Sequence, residues 1–164
     1  MAEKTGSEGA EDPLSTQFVV DHHGDGHRVN VAELPRPVVE ELKTTGHDAH
    51  SIRLAVRSDL GPDGQFGEQW LFIDQQHLLV LDRPNGRAYQ RYQFELDEIE
   101  DASIERCVGN GLIQVTAGKS PHVLLHYSND LTDRFGRVAH YLRERAKHGA
   151  ETPIPDAAQD AHAC

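Results

Sequence analysis

A succession of short β-type segments joined by tight turns is the feature that most constrains what this chain can fold into. Seven runs rich in aliphatic, β-branched and aromatic residues follow one another between residues 52 and 127, separated by short stretches of turn-forming residues. Parallel pairing of consecutive strands would require crossover connections of about a dozen residues or more. The sequence therefore predicts a mainly β fold built on an antiparallel meander of seven strands.

The individual strands are recognised by their periodicity and by the turns that end them. Ile52, Leu54 and Val56 alternate with smaller or charged residues, which predicts a first strand with one buried face. The pair Asn85 and Gly86 favours a type I′ hairpin turn. The predicted strands cover residues 52–57, 69–73, 78–81, 89–94, 99–108, 112–115 and 123–127.

An amphipathic helix follows the last strand. Its apolar residues fall on one helical stripe and are Leu131, Phe135, Val138, Ala139, Leu142 and Ala146. Closing the open end of a small β-barrel is the simplest way to bury this stripe. We therefore expect one C-terminal helix over one hydrophobic core, in which Trp70 packs and its indole N–H finds a hydrogen-bond partner.

The rest of the chain divides by composition. Residues 1–13 are rich in Gly, Glu, Ser and Ala and are expected to form a disordered tail. Residues 14–48 are expected to form a small annex, with a hairpin followed by a helix of about two turns after Pro35 and Pro37. Residues 49–148 hold the meander and its helix, and residues 149–164 have the composition of a linker.

The charge of the chain argues against nucleic acid as a partner. It has 27 Asp and Glu against 16 Lys and Arg, a formal net charge of -11, and such a chain repels phosphate backbones. Its two cysteines cannot form a disulfide framework, which favours a reducing, cytoplasmic location. Cys107 falls within a predicted strand, where a small buried thiol is expected.

Six segments, taken in order, resemble a narrower family. They are VRSDL at 56–60, FGEQWLFID at 66–74, LLVLD at 78–82, FELDEI at 94–99, VGNG at 108–111 and HYSNDLTDRF at 126–135. Over about residues 50–148 the chain is similar to the bacterial pleckstrin-homology-like domain that precedes the membrane and ATPase regions of certain bacterial ABC exporters. The resemblance implies a pleckstrin-homology-like barrel of seven strands, capped by one C-terminal helix.

The same resemblance implies a function without catalysis. In that family the domain is regulatory or serves for docking, and its partner would be a protein: the exporter's own membrane or ATPase regions, or another subunit. No Gly-x-x-x-x-Gly-Lys-Ser/Thr phosphate loop occurs, since residues 118–120 match only its last three letters. We expect no catalytic residue in this chain, and the resemblance leaves the oligomeric state open.

The end of the chain fits this family as well. There the domain is followed by a linker and a zinc ribbon that opens with a Cys-x-x-Cys pair, and here Cys164 follows a linker-like segment. We hypothesise that residues 1–164 are the N-terminal part of a longer exporter subunit at the inner face of the plasma membrane. Cys164 would be the first ribbon ligand, zinc would be required only with that ribbon, and this chain would contain no cofactor and meet the membrane only through its parent.

A free-standing module that binds a peptide or an anionic lipid is the main alternative. Basic residues around the third hairpin and on the last helix would then form the binding surface, namely Arg83, Arg87, Arg91, Arg134 and Arg137. Acidic residues are interleaved with them, however, and no cluster of four to eight Lys and Arg occurs, as lipid-binding segments typically have. A solvated surface of mixed charge is the simpler interpretation.

A third hypothesis, a metal-dependent hydrolase, depends on one loop. His22, His23, Asp25 and His27 are of the residue types that bind zinc, nickel or copper, and Gly24 and Gly26 would let the loop wrap around an ion. The same residues are also typical of a solvated polar loop.

Overall fold

The computed structural model describes residues 18–19 as backbone and residues 34–61, 63–83 and 88–153 with their side chains. The strands and helices are β1 (Phe18–Val19), α1 (Arg36–Thr44), β2 (Leu54–Leu60), β3 (Phe66–Ile73), β4 (His77–Asp82), β5 (Gln90–Glu95), β6 (Ile99–Arg106), β7 (Asn110–Ala117), β8 (Ser120–Ser128) and α2 (Thr132–His148). Short 3-10 turns occur at Ala49–Ser51, Leu96–Glu98 and Asn129–Leu131. No helix in these ranges is long and apolar enough to cross a membrane.

The strands form two antiparallel sheets, one ordered β1-β2-β3-β4-β5 and the other β6-β7-β8. The predicted mainly β fold, its antiparallel pairing and its C-terminal helix are therefore confirmed, whereas the single seven-stranded meander is divided between two sheets. The predicted closed barrel is not found, because no ladder joins the two sheets among the described residues. The 3-10 turn at Leu96–Glu98 redirects the chain between β5 and β6, so that these consecutive strands do not pair.

The two sheets meet where side chains of β2 and β3 contact the backbone of β8. Ser58 Oγ donates a hydrogen bond to the carbonyl of His126, and the His126 amide donates to Gln69 Oε1 over 3.4 Å. The Ser128 amide donates to Asp59 Oδ1 over 3.0 Å. We call these three contacts the seam.

The main hydrophobic core lies between the two sheets and α2. The predicted apolar stripe of α2 faces it, with Phe135, Val138 and Leu142 buried. The ring of Tyr127 from β8 stacks on Phe135 with 4.5 Å between centroids. On the opposite side of the core, β2, β3 and β4 contribute Leu54, Val56, Leu71, Ile73, Leu78 and Val80.

A second apolar cluster covers the outer face of the five-stranded sheet. Val38 and Leu42 of α1 belong to it, together with strand residues Trp70, Phe72, Leu79 and Leu81. The expectation of a single core was wrong, since the central strands are buried on both faces. The helix predicted after Pro35 supplies the cover: α1 begins at Arg36 and ends before Gly46, whose φ of 82° suits glycine.

This cover also changes the burial of β2. The alternation predicted a buried face made of Ile52, Leu54 and Val56, and the strand itself begins at Leu54. Leu54 and Val56 face the main core as expected, whereas Ile52 and Ala55 pack in the cluster under α1. The prediction of one buried face was therefore wrong for β2.

The N-terminal part of the chain adds to the first sheet. β1 pairs antiparallel with β2, with Phe18 opposite Val56 and Val19 opposite Ala55. The partner strand expected for the annex hairpin falls at residues 29 and 31, outside the described residues. Residues 1–13 and most of the predicted linker also lie outside them.

The sixth strand ends earlier than predicted, and this changes the environment of Cys107. β6 stops at Arg106, and residues 107–110 form a turn in which the Cys107 amide donates to the Asn110 carbonyl over 2.8 Å. Gly109 supplies the positive φ of 87° that this turn requires. Cys107 is exposed, so the prediction of a buried thiol was wrong.

Candidate functional site

Part of the binding residues predicted from sequence lies outside the described residues. These are His22, His23, Asp25, His27, Arg87 and Cys164. The proposed histidine loop, the ribbon ligand and the role of Arg87 therefore stay predictions.

The four remaining arginines are divided between two parts of the fold. The Arg83 guanidinium lies over the ring of Tyr89 at 5.3 Å from its centroid, and Arg91 on β5 contacts Glu41 of α1 at 3.8 Å. Arg134 and Arg137 lie on α2, which packs on the three-stranded sheet. Burial lowers the pKa of Arg134. The predicted surface therefore draws on both sides of the molecule.

A cluster that the sequence analysis missed lies where α1, the β3–β4 turn and β5 meet. It consists of His47, Asp74 and His77, whose ligand-type atoms lie within 4.8 Å of one another. His47 follows α1, where its amide donates to the Leu42 carbonyl over 2.9 Å. Asp74 and His77 bracket the β3–β4 turn, closed by a bond of 3.0 Å from the Asp74 amide to the His77 carbonyl.

The Asp74 carboxylate is oriented by its own turn. Its Oδ1 accepts hydrogen bonds from the amides of Gln76 at 2.7 Å and His77 at 2.6 Å. This leaves Oδ2 facing the two imidazoles, with His47 Nδ1 at 3.4 Å and His77 Nδ1 at 3.3 Å. One carboxylate oxygen is thus shared by two histidines.

Side chains of β5 contact the Nε2 atom of each histidine. His47 Nε2 lies 3.0 Å from Gln93 Oε1, and His77 Nε2 lies 3.2 Å from Glu95 Oε1. Each ring therefore has an acceptor oxygen beside both of its nitrogens, Asp74 Oδ2 at Nδ1 and a β5 side-chain oxygen at Nε2, and the tautomer decides which of them receives the hydrogen bond. The rings meet edge to face at 5.4 Å between centroids.

The cluster is largely removed from solvent. The side chains of His47, Asp74 and His77 are 8%, 12% and 24% exposed. Interactions between these groups are therefore stronger than on an open surface. The only sequence signal was the Asp74-x-x-His77 spacing around a turn, because His47 is distant in sequence and joins the cluster only through the packing of α1.

The second candidate feature is β5 itself, an edge strand. It pairs with β4 on one side, with Phe94 opposite Leu78 and Tyr92 opposite Val80, and no other described strand pairs with its far side. Its residues are exposed apart from Phe94, whose ring contacts His122 of β8 at 5.2 Å between centroids. Tyr92 is 51% exposed. Such an edge presents backbone donors and acceptors to an added strand.

Two buried polar groups lie in the first sheet away from both features. Trp70 Nε1 is buried without a hydrogen-bond partner among the described residues, so the predicted partner is not found. Both carboxylate oxygens of Asp82 are likewise buried and unpartnered within that part of the chain, and burial, followed by the Asp63 carboxylate, raises the pKa of Asp82. The backbone amide of Arg83 lowers the pKa of Asp82 and so offsets part of this rise. The same amide donates a hydrogen bond to the Glu68 carbonyl.

Comparison with known proteins gives no family to build on. No family model matches the chain, and no curated protein matches it. The geometry of β5 and of the histidine cluster is therefore what indicates a function for this chain.

Proposed function

We propose that this chain is a non-catalytic docking domain that binds an extended segment of a partner protein along β5. The observation that carries the proposal is the edge of β5 that no other described strand pairs with, where five of six residues are exposed. Main-chain hydrogen bonds along such an edge provide affinity, and alternate side chains provide specificity.

The side chains of β5 define which segments would fit. Tyr92 and Phe94 lie opposite core residues Val80 and Leu78, and so belong to the inward face of the strand. A partner strand beside β5 would place its apolar residues at alternate positions next to this aromatic pair. Segments with alternating apolar and polar residues are therefore the expected ligands.

We further propose that the domain is pleckstrin-homology-like and belongs to an ABC exporter subunit. The succession of β2 to β5, then β6 to β8, then α2 supports this, since the family resemblance implies seven meander strands and one C-terminal helix. The partner segment would then come from the exporter's own membrane or ATPase regions, on the cytoplasmic side of the membrane.

Selection from random peptides displayed on phage tests the docking site. We expect selected peptides to show alternating apolar residues and, added to ¹⁵N-labelled protein, to shift the amide signals of β5. Tyr92→Lys should weaken their binding at least tenfold, about 1.4 kcal/mol. Val108→Lys is the matched control, because Val108 is exposed on the β6–β7 turn. If the Val108 variant lost binding and the Tyr92 variant did not, the docking site would lie elsewhere than on β5.

The exporter assignment has its own test. Sequencing the parent gene beyond the codon for Cys164 should show a Cys-x-x-Cys ribbon followed by membrane and ATPase regions, and those regions should bind residues 1–164 when expressed separately. A stop codon directly after Cys164, with no membrane gene downstream, would refute the exporter assignment and leave the docking site on β5 to be judged by the peptide experiment.

A further inference from the structure

We propose that His47, Asp74 and His77 form a binding site for one divalent transition-metal ion of the zinc type. The ligands would be Nδ1 of each histidine and Oδ2 of Asp74. This goes beyond the docking function, and it places a metal in a part of the chain where the sequence analysis expected no cofactor.

The distances between the ligand atoms suit a tetrahedral ion. Two ligands at about 2.0–2.1 Å from zinc are separated by about 3.3–3.4 Å when the angle at the metal is tetrahedral. His47 Nδ1 and His77 Nδ1 lie 3.4 Å and 3.3 Å from Asp74 Oδ2. Both separations match the tetrahedral value, and the third, between the two histidines, lies within 4.8 Å, so a modest approach of the rings would complete the site.

The charge around the histidines also favours a cation. Asp74 Oδ2 faces both imidazoles, and Glu95 Oε1 lies 3.2 Å from the outer nitrogen of His77. When each ring donates its Nε2–H to β5, its Nδ1 lone pair is available to an ion placed beside Asp74 Oδ2. Without an ion, His77 Nδ1 is placed to donate a hydrogen bond to Asp74 Oδ2 instead.

The surrounding residues have the character of an outer coordination shell. Metal-binding histidines usually donate the other ring N–H to a carboxylate or carbonyl, which fixes the tautomer and raises ligand basicity. Glu95 Oε1, 3.2 Å from His77 Nε2, and Gln93 Oε1, 3.0 Å from His47 Nε2, are placed to accept these hydrogen bonds. Asp74 is held in the same way by two backbone amides through Oδ1. All three ligands are therefore oriented before an ion arrives.

The donor set also selects the class of metal. Two imidazoles and one carboxylate favour zinc, cobalt, nickel or copper over magnesium and calcium, which prefer oxygen ligands. His77 is 24% and Glu95 53% exposed, so an ion can enter from that side. The fourth position is left for water or for one more donor.

Titration of the full chain with zinc chloride, followed by calorimetry, tests the site. We expect one zinc ion per chain and a thermal transition that rises with zinc concentration. His47→Gln and His77→Gln should each weaken binding more than about 100-fold, and Glu95→Gln by about 10- to 100-fold, the range expected for an outer-shell residue. His140→Gln, a change at an exposed histidine of α2, is the matched control and should bind zinc as the wild type does.

The histidine loop at residues 22–27 requires its own variant, because it offers similar ligands. The triple change His22→Gln, His23→Gln and His27→Gln should leave the one-to-one binding intact. Loss of binding in that triple variant, with the His77→Gln chain unaffected, would overturn the proposal, as would the absence of stoichiometric zinc binding by the wild type.

A spectroscopic readout on the unaltered protein keeps the proposal testable if a histidine variant fails to fold. In ¹⁵N-imidazole spectra, zinc should shift Nδ1 of His47 and His77 while both rings keep the Nε2–H tautomer. Two rings that stay doubly protonated in the presence of excess zinc would show that the cluster is an ion pair held by protons, and would overturn the proposal.

Discussion

A methyl group added at Gly111 would collide with the centre of the main core. Gly111 on β7 lies opposite Tyr127 of β8, and a Cβ at this position would lie 2.6 Å from Cε2 and 2.8 Å from Oη of Tyr127. Favourable contacts between carbon atoms have a separation of about 3.5–4.0 Å, so the ring would have to retreat by about 1 Å. Tyr127 is fully buried and already stacks on Phe135 at 4.5 Å, near the lower limit for aromatic pairs.

These contacts set the size of the effect. Overpacking of a core usually costs about 1–3 kcal/mol, and we expect the upper end for Gly111→Ala because the displaced ring is fully buried and stacked on Phe135. Replacing glycine by alanine also reduces the conformational entropy of the unfolded chain, which stabilises the folded protein by about 0.5–1 kcal/mol. The net loss of about 2 kcal/mol should lower the midpoint of urea unfolding by about 1 M, for a slope of about 2 kcal/mol per M.

Urea unfolding followed by Trp70 fluorescence and by circular dichroism measures this change. Gly136→Ala is the matched control, since Gly136 lies inside α2 and a Cβ there meets only Ile104 Cδ1 at an ordinary 3.7 Å. It should stabilise the protein by about 0.5–1 kcal/mol. A Gly111→Ala midpoint within about 0.3 M of the wild type would refute the packing argument. The packing argument would also be refuted if Gly111→Ala lowered the unfolding free energy as much in a Tyr127→Leu variant as in the wild type.

Three further changes test other features. Burial raises the pKa of Asp82, so the folded protein disfavours its charged form. Asp82→Asn should therefore add about 1–2 kcal/mol to the unfolding free energy at pH 7 and little near about pH 3, where Asp82 is already protonated. An equal gain at both pH values would contradict this. Arg145 is buried and donates hydrogen bonds to Asp97 and to the Gln75 carbonyl. Arg145→Ala should therefore lower the unfolding free energy measured in urea by about 2–3 kcal/mol. Lys147→Ala, at an exposed residue of the same helix, should lower it by under about 0.5 kcal/mol. Cys107 should react with a thiol reagent in the folded Cys164→Ser chain as fast as in urea, and protection by the fold would contradict its exposure.

Local patterns were sufficient to predict the elements whose environment is one-sided. β7 alternates buried and partly buried residues as a strand with one core face does, and α2 buries the predicted stripe as far as Leu142, whereas Ala146 at its end is exposed. Both follow from periodicity, because one neighbour covers each of them. The antiparallel order follows equally from the short turns between strands.

Features that depend on distant neighbours could not be predicted in this way. The apolar runs of β3 and β4 fit a strand buried on both faces, but nothing in them indicates that α1 supplies the second cover. The same packing of α1 brings His47 to Asp74 and His77. Cys107 was misplaced because the predicted strand was continued to Val108, into a turn that Gly109 imposes.

The seam between the two sheets has a consequence for how the chain folds. Apart from the pairing of β1 with β2, whose partners Phe18 and Val56 are 38 positions apart, each pairing among the described strands joins strands linked by a short connection, so both sheets can grow from hairpins of local contacts. The three seam bonds instead join residues 68, 57 and 69 positions apart. Closing loops of that length costs more chain entropy than closing a hairpin. Docking of the two finished sheets is therefore the late, non-local step of folding, and it waits until β8, the last of the described strands, has left the ribosome.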